Sequence, residues 1–207
     1  EEAIGSQITD FLIKPVNPSQ ILLTLKKIID NKRLVREKTS SNYQQEFRQI
    51  LMDINSGLDY EEWVETYKKV IGWELKIDSS QSTGMVDILS MQKSEANIAF
   101  SKYIEKNYVD WVQGHKESPI MSHNLLRKKV LPHLNDEVPT IMLLLDNLRY
   151  DQWKVLQPIF TDFFRVEEED YFYSILPTYT QYSSNAIFAG MMTSEIERSY
   201  KKWWKKD

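Results

Sequence analysis

Two short stretches carry side chains whose position along the chain could support chemistry. The first is Asp146, which follows the apolar run Ile141-Met142-Leu143-Leu144-Leu145. If that run is a strand of an open α/β sheet, Asp146 stands beyond its carboxyl end, where such sheets bind ligands. A carboxylate there suits a hard or borderline cation. The second is Pro177-Thr178-Tyr179-Thr180, which follows a β-compatible run and precedes a helical one. A threonine hydroxyl on the first turn of a helix meets a positive dipole end and free N–H groups. That setting favours an alkoxide nucleophile and the phosphate it attacks. Together the two stretches would bring a metal ligand and a nucleophile to one sheet edge. Each also has a plain structural explanation: Asp146 as a turn or cap before the next helix, and the threonine as an ordinary N-cap.

The other candidates carry less. His115, His123 and His133 show no regular ligand spacing, and all three precede Asp146. They read as surface or core histidines. Trp63, Trp73, Trp111 and Trp153 fall at helical spacing and are expected in the core. The terminal run Lys201-Lys202-Trp203-Trp204-Lys205-Lys206 could meet a phosphate strand by charge and stacking, but reads more simply as a solvated face.

The elements that must position these residues follow from periodicity. Phe11-Leu12-Ile13 reads as a brief strand stopped at Lys14-Pro15. Ile21, Leu22, Leu25, Ile28, Ile29 and Val35 predict an amphipathic helix from a Ser19 cap to about Lys38. A second helix, from Tyr43 to Ile54, follows a Ser40/Ser41 cap, and a third follows the Asp59-x-x-Glu62 capping pattern, with Gly57 between them. After a polar connection at 79–84, helical periodicity returns from Met85 to Val112. A last segment runs from Ser122 to about Val130 and ends near Pro132. A domain boundary is expected near Glu137. Beyond it the pattern predicts a buried strand over 140–145, a helix over 150–160, a second strand over 171–176 after the acidic turn Glu167 to Asp170, and a helix over 183–192. The expected fold is therefore mixed α+β: a short α/β piece, a helical bundle, and the first strands of a parallel α/β sheet.

Composition narrows the function classes. The 207 residues are 42% hydrophobic and 27% charged, which is a globular rather than a disordered or fibrous balance. A net charge of −4 argues against a protein that binds nucleic acid through a basic surface. With no cysteine there is no disulfide framework, thiolate metal site or cysteine nucleophile, and a reducing cytoplasm is the simplest compartment. The longest apolar run, Ile141 to Leu145, is far short of a bilayer span, so no membrane span is expected. The chain opens on Glu1 rather than Met, and an internal stretch of a longer protein is the expected origin.

Two local patterns resemble known families. Thr9-Asp10-Phe11-Leu12-Ile13-Lys14-Pro15-Val16, with the helix after it, resembles the last strand and helix of a two-component receiver domain. The resemblance implies that Lys14 pairs with a phosphorylated aspartate, that Phe11 is the rotamer switch, and that the complete receiver takes magnesium. Leu143 to Asp151, with Leu176-Pro177-Thr178-Tyr179-Thr180-Gln181-Tyr182-Ser183 and Phe188-Ala189-Gly190-Met191, resembles the start of a PglZ domain of the alkaline phosphatase superfamily. That resemblance implies two zinc ions in the complete domain, with Asp146 as a zinc ligand and Thr180 as both nucleophile and metal ligand. The remaining zinc ligands would lie after the nucleophile.

The order as a whole resembles PorX-type response regulators associated with type IX secretion. It implies the C-terminal end of a receiver over 1–32, a helical bundle or linker over 33–137, and the N-terminal part of a PglZ domain over 138–207. The implied protein is a cytoplasmic response regulator whose output is a zinc-dependent phosphodiesterase or phosphatase controlling secretion or gene expression. Its implied partners are a sensor histidine kinase, a sigma factor or secretion-motor component, and a second copy in a phosphorylation-dependent homodimer. A nucleotide phosphodiester is a possible substrate. The competing expectation is a signalling and protein-interaction module without turnover.

Overall fold

The computed structural model describes residues 18–80, 83–134 and 139–200. Six α-helices run through the described residues: α1 (Pro18–Ser56), α2 (Tyr60–Ser80), α3 (Thr83–Gln113), α4 (Tyr150–Thr161), α5 (Thr180–Ala189) and α6 (Thr193–Ser199). The chain divides into two compact units, one up to Phe100 and one from Ser101, and α3 contributes residues to both. The strand expected at Phe11-Leu12-Ile13, together with Lys14, Glu137 and Lys201 to Lys206, lies outside the described residues.

The first unit is helical. Helix α1 is continuous over 39 residues, so the two helices expected on either side of Ser40/Ser41 are one. Serine is a weak helix former but not a breaker, and no glycine or proline interrupts the segment. The helix stops where the sequence does supply a breaker: Gly57 has φ of 88°, a left-handed conformation open to glycine. Asp59 then caps α2. Its Oδ1 accepts from the Glu61 and Glu62 N–H groups at 2.8 Å each, and Glu62 Oε2 accepts from the Asp59 N–H at 2.9 Å.

The core of this unit gathers Tyr43, Ile50, Val70, Trp73, Ile77, Met85 and Leu89, with Phe47 and Ile54 against it. One polar side chain sits inside. Gln92 accepts from the Tyr43 hydroxyl at 3.0 Å and donates to the Phe47 carbonyl at 3.2 Å, so its buried amide is satisfied at both ends. The expected core tryptophans Trp63 and Trp73 are buried here. On the N-terminal half of α1 the apolar side chains Leu22, Leu25 and Ile29 are exposed.

In the second unit the expected strands do not form, and the expectation of a mixed α+β fold gives way to a largely helical one. Among the described residues the only β pairing is an isolated parallel bridge between Met121 and Tyr173. The physical reason is pairing. A strand needs a neighbouring backbone to take its N–H and C=O groups, and no second segment pairs with residues 140–145 among those described. Ile141 and Leu143 are accordingly 84% and 79% exposed rather than buried on both faces. In the second expected strand, 171–176, the Tyr173 N–H donates to the Ile120 carbonyl at 2.7 Å and the Tyr173 carbonyl accepts from the Ser122 N–H at 3.1 Å, which makes the isolated bridge and no longer ladder among the described residues.

Ser122 to His133 is helical, but as 3₁₀ and π turns rather than an α-helix. The core of this unit holds Met121, Ile175, Ala186, Ile187 and Ile196, with Trp111 also buried and edge-on to Tyr173.

Candidate functional site

Asp146 and Thr180 come together. Asp146 sits in a tight turn whose next residue, Asn147, has φ of 60°, a conformation asparagine tolerates better than most residues. The turn releases the chain into α4. Thr180 is the first residue of α5, three positions earlier than periodicity places the start of that helix. The Tyr179 carbonyl accepts from the Tyr182 and Ser183 N–H groups at 2.9 and 3.0 Å, so the first turn is closed and Thr180 lies within it. The Thr180 hydroxyl donates to Asp146 Oδ2 at 3.3 Å, across 34 residues of sequence. Both side chains are exposed, and it is Thr180, not Thr178, that makes this contact.

The flanking segments are pinned by charge. At the start of α4, Arg149 donates to both carboxylate oxygens of Asp151 at 2.9 and 2.6 Å, and this guanidinium holds the Asp151 carboxyl below its usual range. Further along the helix, Lys154 donates to both oxygens of Glu169 at 2.9 and 2.7 Å, joined by the Trp153 indole N–H at 3.2 Å. The Lys154 bond holds Glu169 below the ordinary carboxylate value. Lys129 pairs with Asp170, and that bond raises the lysine. The acidic turn expected at 167–170 is therefore a set of anchors for neighbouring cations.

The segment that leads into Thr180 is held by hydroxyls. The Leu176 N–H donates to the Tyr108 hydroxyl oxygen at 2.7 Å, and the Ile175 N–H donates to Ser122 Oγ at 3.1 Å. Neither Tyr108 nor Ser122 stands out in the sequence as a functional residue. Ser122 reads as a helix cap and Tyr108 as one of a helical series of aromatics, and nothing in their spacing signals a partner more than 50 residues away.

The donor chemistry of the pair fits a metal in part. Asp146 and Thr180 place a carboxylate and a hydroxyl side by side, and carboxylate oxygen is a donor that zinc accepts. Among the described residues no group of three or more His, Asp or Glu could hold a metal ion. His115 and His133 are exposed, while His123 is half-buried, with its Nδ1 buried and its pKa pushed down by burial. Phe11 and Lys14 fall outside the described residues.

Comparison with known families gives two matches. Residues 33–112 match the PorX response regulator linker domain, and residues 125–205 match the BREX system PglZ alkaline phosphatase-like domain. In chain order, a segment similar to a PorX linker is followed by one similar to a PglZ domain. Both matches are consistent with the PorX type, and they make the protein response-regulator-like with a phosphatase-like domain. The PglZ match contains both Asp146 and Thr180. The linker match points to signalling partners. No curated protein matches the chain. No helix among the described residues is long and apolar enough to cross a membrane.

Proposed function

We propose that the PglZ domain of this protein is a zinc-dependent phosphoesterase in which Thr180 is the nucleophile and Asp146 a metal ligand, serving as the output of a cytoplasmic response regulator. The observation that carries this reading is the hydrogen bond from Thr180 Oγ1 to Asp146 Oδ2 at 3.3 Å, on the first turn of a helix. It joins the two side chains whose chemistry is complementary and which are far apart in sequence.

On this reading Asp146 holds the Thr180 proton on its own oxygen and leaves the hydroxyl lone pairs free to face a substrate. The N–H groups of Thr180 and Gln181, at the start of α5, stabilise the anionic phosphoryl group beside it. Thr180 Oγ attacks phosphorus, the bond to the leaving oxygen breaks, and the departing alcohol takes up the proton. Water then displaces the threonine from the phosphoryl group and restores the hydroxyl. Zinc held by Asp146 and Thr180, with ligands beyond this pair, would supply Lewis-acid polarisation and lower the hydroxyl pKa.

Control by a sensor histidine kinase through Phe11 and Lys14, phosphorylation-dependent dimerisation, and an effect on secretion or gene expression extend the same reading.

The test is hydrolysis of a chromogenic phosphodiester by the full-length protein, with and without added zinc, for the wild type and Thr180→Val. Zinc-stimulated turnover that falls by at least about 1000-fold in the variant is the expected result. Absence of turnover in both proteins would replace this reading with a signalling module that acts by binding alone.

A further inference from the structure

Ile175 is enclosed by a ring of three serine hydroxyls. Its N–H donates to Ser122 Oγ at 3.1 Å. Ser122 Oγ lies 3.1 Å from Ser183 Oγ, which lies 2.8 Å from Ser174 Oγ. Ser174 Oγ in turn donates to the Ile175 carbonyl at 3.3 Å, so the path returns to the residue where it began.

Each serine hydroxyl carries a single proton, and this fixes every direction in the ring. Ser174 gives its proton to the Ile175 carbonyl, so it accepts from Ser183. Ser183 has then used its proton and accepts from Ser122, whose own proton is accounted for and whose oxygen accepts from the Ile175 N–H. No donor in the ring is left over. Ser122 and Ile175 are both fully buried, so a missing member would leave a polar group with neither partner nor water.

The three serines come from three parts of the chain. Ser122 belongs to the turn after α3, Ser174 to the extended segment before the cis Leu176–Pro177 bond, and Ser183 to α5, one turn beyond Thr180. Through Ser122 and Ser183 the ring ties the two ends of the 176–182 segment, a loop and the first turn of α5, to one buried point. The exposed residues Thr178, Tyr179 and Thr180 lie between those ends.

We infer that Ser122, Ser174 and Ser183 are positioning residues for Thr180: the hydroxyl ring fixes the first turn of α5 so that the Thr180 hydroxyl stays within reach of Asp146. The catalytic consequence rests on the reading of Thr180 as nucleophile, whereas the ring itself can be tested without turnover. A displacement of about 1 Å at a reacting group is enough to cost about 100-fold in rate.

The experiment compares Ser183→Ala and Ser183→Thr with the wild type in the full-length protein. It reads amide hydrogen exchange at Ile175, and kcat and KM on the chromogenic phosphodiester. The alanine variant is expected to speed Ile175 exchange by about tenfold or more and to lower kcat by about 10- to 100-fold, with KM within about twofold. The threonine variant keeps the hydroxyl and is expected to recover both. Unchanged Ile175 exchange in Ser183→Ala overturns the ring whether or not the protein turns over. Equal losses in the alanine and threonine variants also overturn it, since packing and not the hydroxyl would then matter. If the wild type is active and Thr180→Val is dead, an unchanged kcat in Ser183→Ala overturns the positioning role and leaves the nucleophile in place. A wild type without turnover removes the nucleophile instead, and the exchange result alone then decides whether the ring stands.

Discussion

Tyr43 shows how one buried hydroxyl ties stability to pH. It is fully buried, its hydroxyl donates to Gln92, and burial pushes its pKa from 10.0 up to about 12. Below pH 10 both folded and unfolded chains keep the proton, and the stability this residue contributes is complete. Between about pH 10 and 12 the unfolded chain has lost the proton while the folded chain retains it, so stability falls as pH rises, by about 2–3 kcal/mol over the window. Tyr43→Phe lacks this alkaline loss. At pH 7 the same variant strands the Gln92 carbonyl oxygen and is expected to cost about 1–3 kcal/mol. Urea unfolding of both proteins at pH 7 and at intervals up to pH 11.5 checks this: the gap between them should narrow at the alkaline end, and parallel curves would assign the loss to other groups. Asp146 and Thr180 stand out from the sequence because their types suit metal and phosphate chemistry and their motifs resemble a known domain. The serine ring does not, because no spacing rule links residues 122, 174 and 183; only the folded chain brings them together.

Among the elements, local signals and partner-dependent ones fare differently. The start of α2 is written into Asp59 and Glu62, and both bonds of that box form. Asp59→Ala removes the acceptor for two N–H groups and is expected to lower stability by about 1 kcal/mol, seen as a lower midpoint in a thermal melt followed by helical circular dichroism. An unchanged midpoint would mean that tertiary packing alone sets where α2 begins. Helix α4 starts at Tyr150, the residue its periodicity predicts. The merging of two expected helices into α1 was less legible, since Ser40 and Ser41 fit a cap and a helix interior equally well. The strands were least legible of all. A run such as Ile141 to Leu145 has the composition of a buried strand, but strand formation is a property of two backbones, and one sequence segment holds only one of them.

At the scale of the molecule, apolar side chains divide into those covered and those left open. Ile175 is fully buried, while Ile141 and Leu143 face solvent in an extended segment whose backbone has no strand partner among the described residues, a combination that favours association. Replacing both Ile141 and Leu143 by serine is expected to reduce dye binding to apolar surface and light scattering in this 207-residue chain, with a change in unfolding free energy within about 0.5 kcal/mol. A large loss of stability would show instead that these side chains are covered in solution. The unbroken course of α1 has a consequence of a different kind. Each residue of an α-helix turns the chain by about 100°, and no joint between Pro18 and Ser56 absorbs that rotation. The exposed face of Leu22, Leu25 and Ile29 is thus held at a fixed angle to the buried face of Tyr43 and Ile50. Inserting one residue between Val35 and Tyr43 would swing one face about 100° around the other, whereas inserting seven would bring them back to within about 20°. In this helix, length is also phase.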